Sequence, residues 1–174
     1  MHRIRARTTI RSVVGAGVLL AVSGIVAAAD ASKALPLDQA VMVAQAALAQ
    51  CKADGYNVTV MVMDQDYGTR LVLRSDAAAV RTVEIARRKA YTVVKMGMSS
   101  GEFGKSVPAP ATPAAPPAPG TMPPGVNGDD SLITFAGGKQ IRVGGQVVGA
   151  ISVSGAPGGE KDEACVDAGL AKLR

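Results

Sequence analysis

The chain has 174 residues, two cysteines, no tryptophan and only 3% aromatic residues, enough length for one ordinary domain with its own core. Its formal net charge is +5, but Arg3, Arg5, Arg7 and Arg11 crowd the first eleven residues and no acid precedes Asp30. The rest is close to neutral, which leaves no electrostatic footprint for a phosphate backbone and excludes nucleic acid as the expected partner.

Residues 1–29 read as a signal peptide. A basic start, Met1 to Arg11, precedes an apolar run from Val13 to Ala29 that ends Ala27-Ala28-Ala29, a small-x-small cleavage pattern. No adjacent arginine pair marks a twin-arginine route, and no cysteine near the cleavage point marks a lipid anchor. At 17 residues with three glycines the run is marginal for spanning a bilayer. The expectation is Sec-type export to the periplasm or beyond, leaving 30–174 as a single domain with no stable membrane anchor. An uncleaved anchor is the alternative. The only histidine is His2, so the mature chain has none and lacks Ser-His, Cys-His and His-metal chemistry.

Leu37 to Lys52 predicts a helix, with Leu37, Val41, Ala44, Leu48 and Cys51 at helical spacing, Asp38 near its start and Gly55 beyond its end. Asn57 to Met63 alternates and is β-branched, a strand; Asp64 to Gly68 is its turn and Thr69 to Arg74 the return strand. Ala77 to Met96 predicts a second helix with Val80, Val83, Ala86, Ala90 and Val94 inward and Arg81, Arg87, Arg88 and Lys95 as a solvated face. From Val107 to Gly125 the chain is a Pro/Ala-rich insertion that excludes helix and internal strand; it is a surface loop, either a lid or partner-binding arm or simply a tolerated insertion. Ser131 to Phe135 reads as a short strand. Gln140 to Val143 and Gln146 to Val153 form a hairpin about Gly144-Gly145, a pair suited to φ > 0 at both turn positions. A Gly/Pro loop, Ser154 to Gly159, leads to a last helix from Glu160 to Leu173. Helices set apart from an antiparallel sheet make an α+β pattern.

In an oxidising compartment Cys51 and Cys165 are expected to pair, tying the first helix of the domain to the last; two buried thiols on separate faces are the alternative. Glu160, Asp162 and Glu163 either hold a cation or complement the dipole of the helix they begin.

Several stretches carry a family pattern: Val62-Met63-Asp64, Arg74-x-Asp76, Lys89-Ala90-Tyr91-Thr92-Val93, Gly137-Gly138-x-x-Ile141, and Gly145-x-x-x-Gly149-Ala150-Ile151-x-Val153-Ser154-Gly155-Ala156. On these motifs the chain resembles the GlcG/HbpS-type haem-binding family, also called the haem-degrading or DUF336 domain. It departs from the pattern at Ala77-Ala78, where Gly-Ala is usual, and at Gln140, where Pro is usual. The resemblance implies a five-stranded antiparallel sheet flanked by helices, profilin-like in layout, and a homo-oligomer. It also implies haem or a related tetrapyrrole as ligand. The expected function is an exported haem-binding protein. The alternatives are an enzyme or accessory acting on haem, a corrinoid or glycolate-pathway metabolism, or a scaffold with a vacant pocket; catalysis is left open.

Ligand-binding candidates are Arg74, Asp76, Lys89, Tyr91, Gly137, Gly138, Ser154 and Gly155. Arg74 sits at a strand end, where it either pairs with a ligand carboxylate such as a propionate or closes on Asp76 or Asp64. Lys89 is either a surface lysine or a site residue. The glycines and Ser154 permit close backbone approach. Without histidine, haem iron needs another donor: Tyr56, Tyr67, Tyr91, a methionine, Lys89 or a hydroxyl such as Thr92, with Tyr91 the first choice. Glu160 and Glu163 are the candidates for a free cation.

Overall fold

The computed structural model describes residues 35–108 and 121–173. The signal-peptide reading of 1–29, the start of the domain at 30–34 and the middle of the Pro/Ala-rich insertion lie outside the described residues.

Eight elements follow one another: α1 (Leu37–Ala53), β1 (Thr59–Asp64), β2 (Thr69–Arg74), α2 (Arg81–Met96), α3 (Ser100–Ser106), β3 (Gly138–Val143), β4 (Gln146–Ser154) and α4 (Gly159–Leu170). The strands form one antiparallel sheet in the order β2-β1-β4-β3. In the central strand β1, Val60 and Val62 point to one face and Met61 and Met63 to the other, the two-residue period of a strand buried on both sides. The valine face packs with Ile151 and Val153 of β4 against α1 and α4. The methionine face packs with Ala150 against Ala86, Ala90 and Val93 of α2.

The sheet has four strands where five were expected. Ser131 to Phe135 is extended but is not a strand, because its backbone groups are spent on α2. The Ile133 amide donates to Thr92 Oγ1 at 3.0 Å and the Leu132 carbonyl accepts from Arg88 at 2.7 Å. Leu132 and Ile133 are nonetheless buried, which accounts for their apolar character.

Other boundaries shift for local reasons. The buried stripe of α1 is Ala40, Val43, Ala44, Ala47 and Cys51; it keeps Ala44 and Cys51 of the expected stripe, while Val41 and Leu48 are only half-buried and Leu37 is exposed. The small stripe admits α4 closely: a Cβ on Gly169 would lie 2.6 Å from the Val43 carbonyl oxygen. At this contact Cys51 and Cys165 form the expected disulfide, with Cα atoms 5.4 Å apart. Helix α2 begins at Arg81, not Ala77, and Val80 is solvent-exposed rather than core. Ser75 exchanges hydrogen bonds with Val58, and the Ala78 amide turns back to the Ser75 carbonyl. The run of alanines is thereby kept as a turn. Helix α3 was not expected; Ser99 and Glu102 close a capping box at its start, a signature present in the sequence as Ser-x-x-Glu. Gly144 and Gly145 both take positive φ, as the hairpin reading requires.

Candidate functional site

Lys89, Ser154 and Gly155 meet where the α1–β1 loop, the β2–α2 turn, the inner face of α2 and the β4–α4 loop converge. These elements enclose a cavity of about 590 Å³. Its walls include Tyr56, Ile85 and Phe135, its polar lining Arg81, Thr82 and Ser154, and its floor Lys89 and Asp162.

The floor is a buried ion pair. Lys89 Nζ donates to Asp162 Oδ2 at 2.6 Å and to the Val153 carbonyl at 2.8 Å. Asp162 Oδ1 accepts from the Ala156 amide at 3.0 Å, so the same carboxylate shapes the Gly/Pro loop. Only 2% of Lys89 is exposed, which overturns its reading as a surface lysine. Burial pushes the Lys89 amine down and the Asp162 carboxyl up, in each case against the pull of the partner charge. Gly137, at φ 118°, leaves room beside this pair: a Cβ there would meet Lys89 Nζ and Asp162 Cβ at 2.7 Å. Gly138 serves a neighbouring contact, its amide donating to the buried Ser100 Oγ at 2.9 Å. Asp162, placed on the helix start by sequence, is therefore part of the cavity and not a solvated dipole partner. Its inward side was not legible, because neighbouring Glu160 and Glu163 share its composition but not its direction.

Arg74 forms neither of the two pairs considered for it. Its guanidinium donates to the Ala78 carbonyl at 2.5 Å and so holds the turn whose Ala77 and Ala79 line the cavity. Arg74 is a positioning residue here, and Asp76 on that turn is exposed. Ser154 and Gly155 line the cavity.

Tyr91 is not brought to this site. It lies on the outer side of α2, its hydroxyl donating to Asp129 Oδ2 at 3.2 Å and accepting from Lys95, with its ring 5.1 Å from that of Tyr67. Tyr56 is the tyrosine at the cavity. Its phenolic oxygen has no hydrogen-bond partner among the described residues, and Lys161 Nζ lies 5.5 Å from its ring centre.

Glu160 and Glu163 line a second, larger cavity of about 1120 Å³ between α3, β3 and α4, with Glu102, Lys105, Lys139 and Arg142. Among the described residues no three His, Cys, Asp or Glu side chains are grouped to hold a metal ion. The extended segment Thr134–Ala136 divides the two cavities, Thr134 and Ala136 facing the larger and Phe135 the smaller. Glycines seat this divider: Cβ atoms on Gly101 and Gly159 would press on Ala136, and one on Gly104 on the Thr134 carbonyl.

Residues 35–171 match the family described as haem degrading protein, HbpS-like. Among solved structures, the chain is similar to HbpS at 29% identity and a TM-score of 0.64, covering 81% of this chain and 91% of that one. It is similar to a double mutant of Streptomyces reticuli HbpS at 27% identity and a TM-score of 0.64, covering 96% and 99%. PduOC, solved as a haem complex, shares the fold at 22% identity and a TM-score of 0.67, covering 81% and 96%. No curated protein matches the sequence significantly. With the match spanning residues 35–171, well over half of the chain, the chain belongs to the HbpS-like haem-degrading family.

Proposed function

We propose that this is an exported haem-binding protein that holds the porphyrin at the cavity between α2 and the β4–α4 loop. The observation that carries the reading is the family match over 35–171. The cavity fits it in size, about 590 Å³ against the several hundred Å³ usual for small-molecule sites. It fits also in chemistry. Tyr56 offers an oxygen donor to ferric iron, with no hydrogen bond among the described residues to compete. Arg81 offers a propionate partner, since no acid pairs with it among the described residues. Phe135 and Ile85 give the macrocycle an apolar wall. Haem would supply the iron-centred redox chemistry, and these residues bind and orient it.

Export rests on the basic-then-apolar pattern of residues 1–29 and on the Cys51–Cys165 disulfide, which belongs to an oxidising compartment. A homo-oligomer is part of the same proposal, carried by the family resemblance.

Titration with haemin tests the reading. The expected result is a saturable, shifted Soret band near one haem per subunit, with a tyrosinate-type spectrum lost in Tyr56→Phe and weaker binding in Arg81→Ala. A spectrum indistinguishable from free haemin sinks the proposal. Retention of the tyrosinate signature in Tyr56→Phe and its loss in Tyr91→Phe moves the haem to the outer side of α2.

A further inference from the structure

The floor of the cavity carries a nucleophile that haem binding leaves unused. We propose that Lys89 condenses with the carbonyl carbon of a small oxo acid, with Asp162 carrying the protons and Arg81 seating the acid's carboxylate. The inference stands on the cavity and not on haem.

An ammonium has three donors. Lys89 spends two, on Val153 and Asp162, and the third has no acceptor among the described residues. Lys89 lines the cavity although it is almost wholly buried. Burial works against both charges, the amine being lowered and the carboxyl raised, which reduces the cost of moving a proton from Lys89 to Asp162 across their 2.6 Å hydrogen bond. Lys89 is the only lysine among the residues lining this cavity.

The substrate class follows from Arg81. Arg81 and Lys89 both line the cavity and stand eight residues apart on α2, about 12 Å along the helix axis. Both residues line the one cavity, so together they bracket an acid whose carbonyl lies several bonds from its carboxylate.

The step balances within the pair. Lys89, having given a proton to Asp162, adds its nitrogen lone pair to the carbonyl carbon, and the oxygen takes the proton back from Asp162. Asp162 then removes a proton from the nitrogen and delivers it to the hydroxyl, which leaves as water while the carbon–nitrogen double bond forms. The products are a protonated imine on Lys89, the Asp162 carboxylate and one water.

The purified protein is incubated at neutral pH with succinate semialdehyde and cyanoborohydride, and the label on each lysine is quantified by mass spectrometry after trypsin. Lys89 is expected to label faster than the exposed Lys105 and Lys172. Asp162→Asn should slow labelling of Lys89. Arg81→Ala should slow it for the semialdehyde but not for butanal, which lacks the carboxylate. These two variants carry the test, since Lys89 substitutions risk misfolding. Even labelling across the exposed lysines, or an unlabelled Lys89 in protein that circular dichroism shows to be folded, overturns the proposal. Saturation with haemin beforehand should protect Lys89. If haemin does not bind, the haem reading fails alone and the labelling result still decides the role of Lys89.

Discussion

Arg88 and Lys89 are chain neighbours, almost equally buried at 3% and 2% exposed, and satisfied in opposite ways on two sides of α2. Lys89 turns inward to a carboxylate and one carbonyl, and stands at a cavity. Arg88 turns outward under the end of the Pro/Ala-rich insertion and the segment that follows it. It donates to the carbonyls of Pro123, Pro124 and Leu132, while its Nε has no partner. The expectation that Arg88 belongs to a solvated face is thus corrected: the chain folds over it. One buried cation fastens a loop by geometry, with five donors in a fixed fork. The other keeps a charge pair at a ligand-sized space, where it costs stability and offers chemistry.

The largest break in this comparison is Lys89→Met alone. It leaves Asp162 buried without its cation and should cost about 3–5 kcal/mol in denaturant unfolding. Lys89→Met with Asp162→Leu removes both charges and should recover most of that loss.

The same pair predicts a pH dependence. The Asp162 carboxyl is raised, so between its ordinary value and its folded one the native state holds the extra proton, and the contribution to stability falls as pH rises. The Lys89 amine is lowered, so between its folded value and the ordinary lysine value the unfolded state holds the extra proton, and the contribution rises with pH. The pair is therefore least favourable between these windows. The double variant should gain most on the wild type at intermediate pH, as unfolding across a pH series will read.

Arg88→Met sharpens the other side. Three carbonyls lose their donor, and a cost of about 2–3 kcal/mol is expected, with faster proteolysis between Thr121 and Ile133 and no change in the protonation of the cavity floor. A stable variant with an unaltered cleavage pattern would show that Thr92 and Asp129 hold this segment without Arg88. The smallest effect belongs to Tyr91→Phe. Its hydroxyl is one partner among several of Asp129, whose carboxyl Lys95 already holds below the usual range. Melting should stay within the scatter of repeat runs.

Side-chain period and turn chemistry made much of the fold legible. The alternation of β1, the Gly144-Gly145 hairpin and the Cys51–Cys165 pairing all stand in the structure. Of the residues singled out as ligand-binding candidates, Lys89, Ser154 and Gly155 line one cavity, a grouping the sequence did not show. What composition could not tell was direction. Ser131 to Phe135 has the residues of a strand, yet Thr92 and Arg88 claim its backbone groups, so the sheet stops at four. Arg87, Arg88 and Lys89 read as one basic run, but each step along a helix turns the side chain by about 100°, so the three meet different neighbours. Tyr56 and Tyr91 are alike as iron donors in sequence; only the packing of the α1–β1 loop beside α2 puts Tyr56 at the cavity and leaves Tyr91 with Asp129. The sequence by itself determined the family, the covalent staple and the element order apart from α3 and the Ser131 to Phe135 segment, because these depend on local pattern and residue identity. The tertiary structure decided which charges are buried and what they face, because burial depends on which distant segment lies over each side chain.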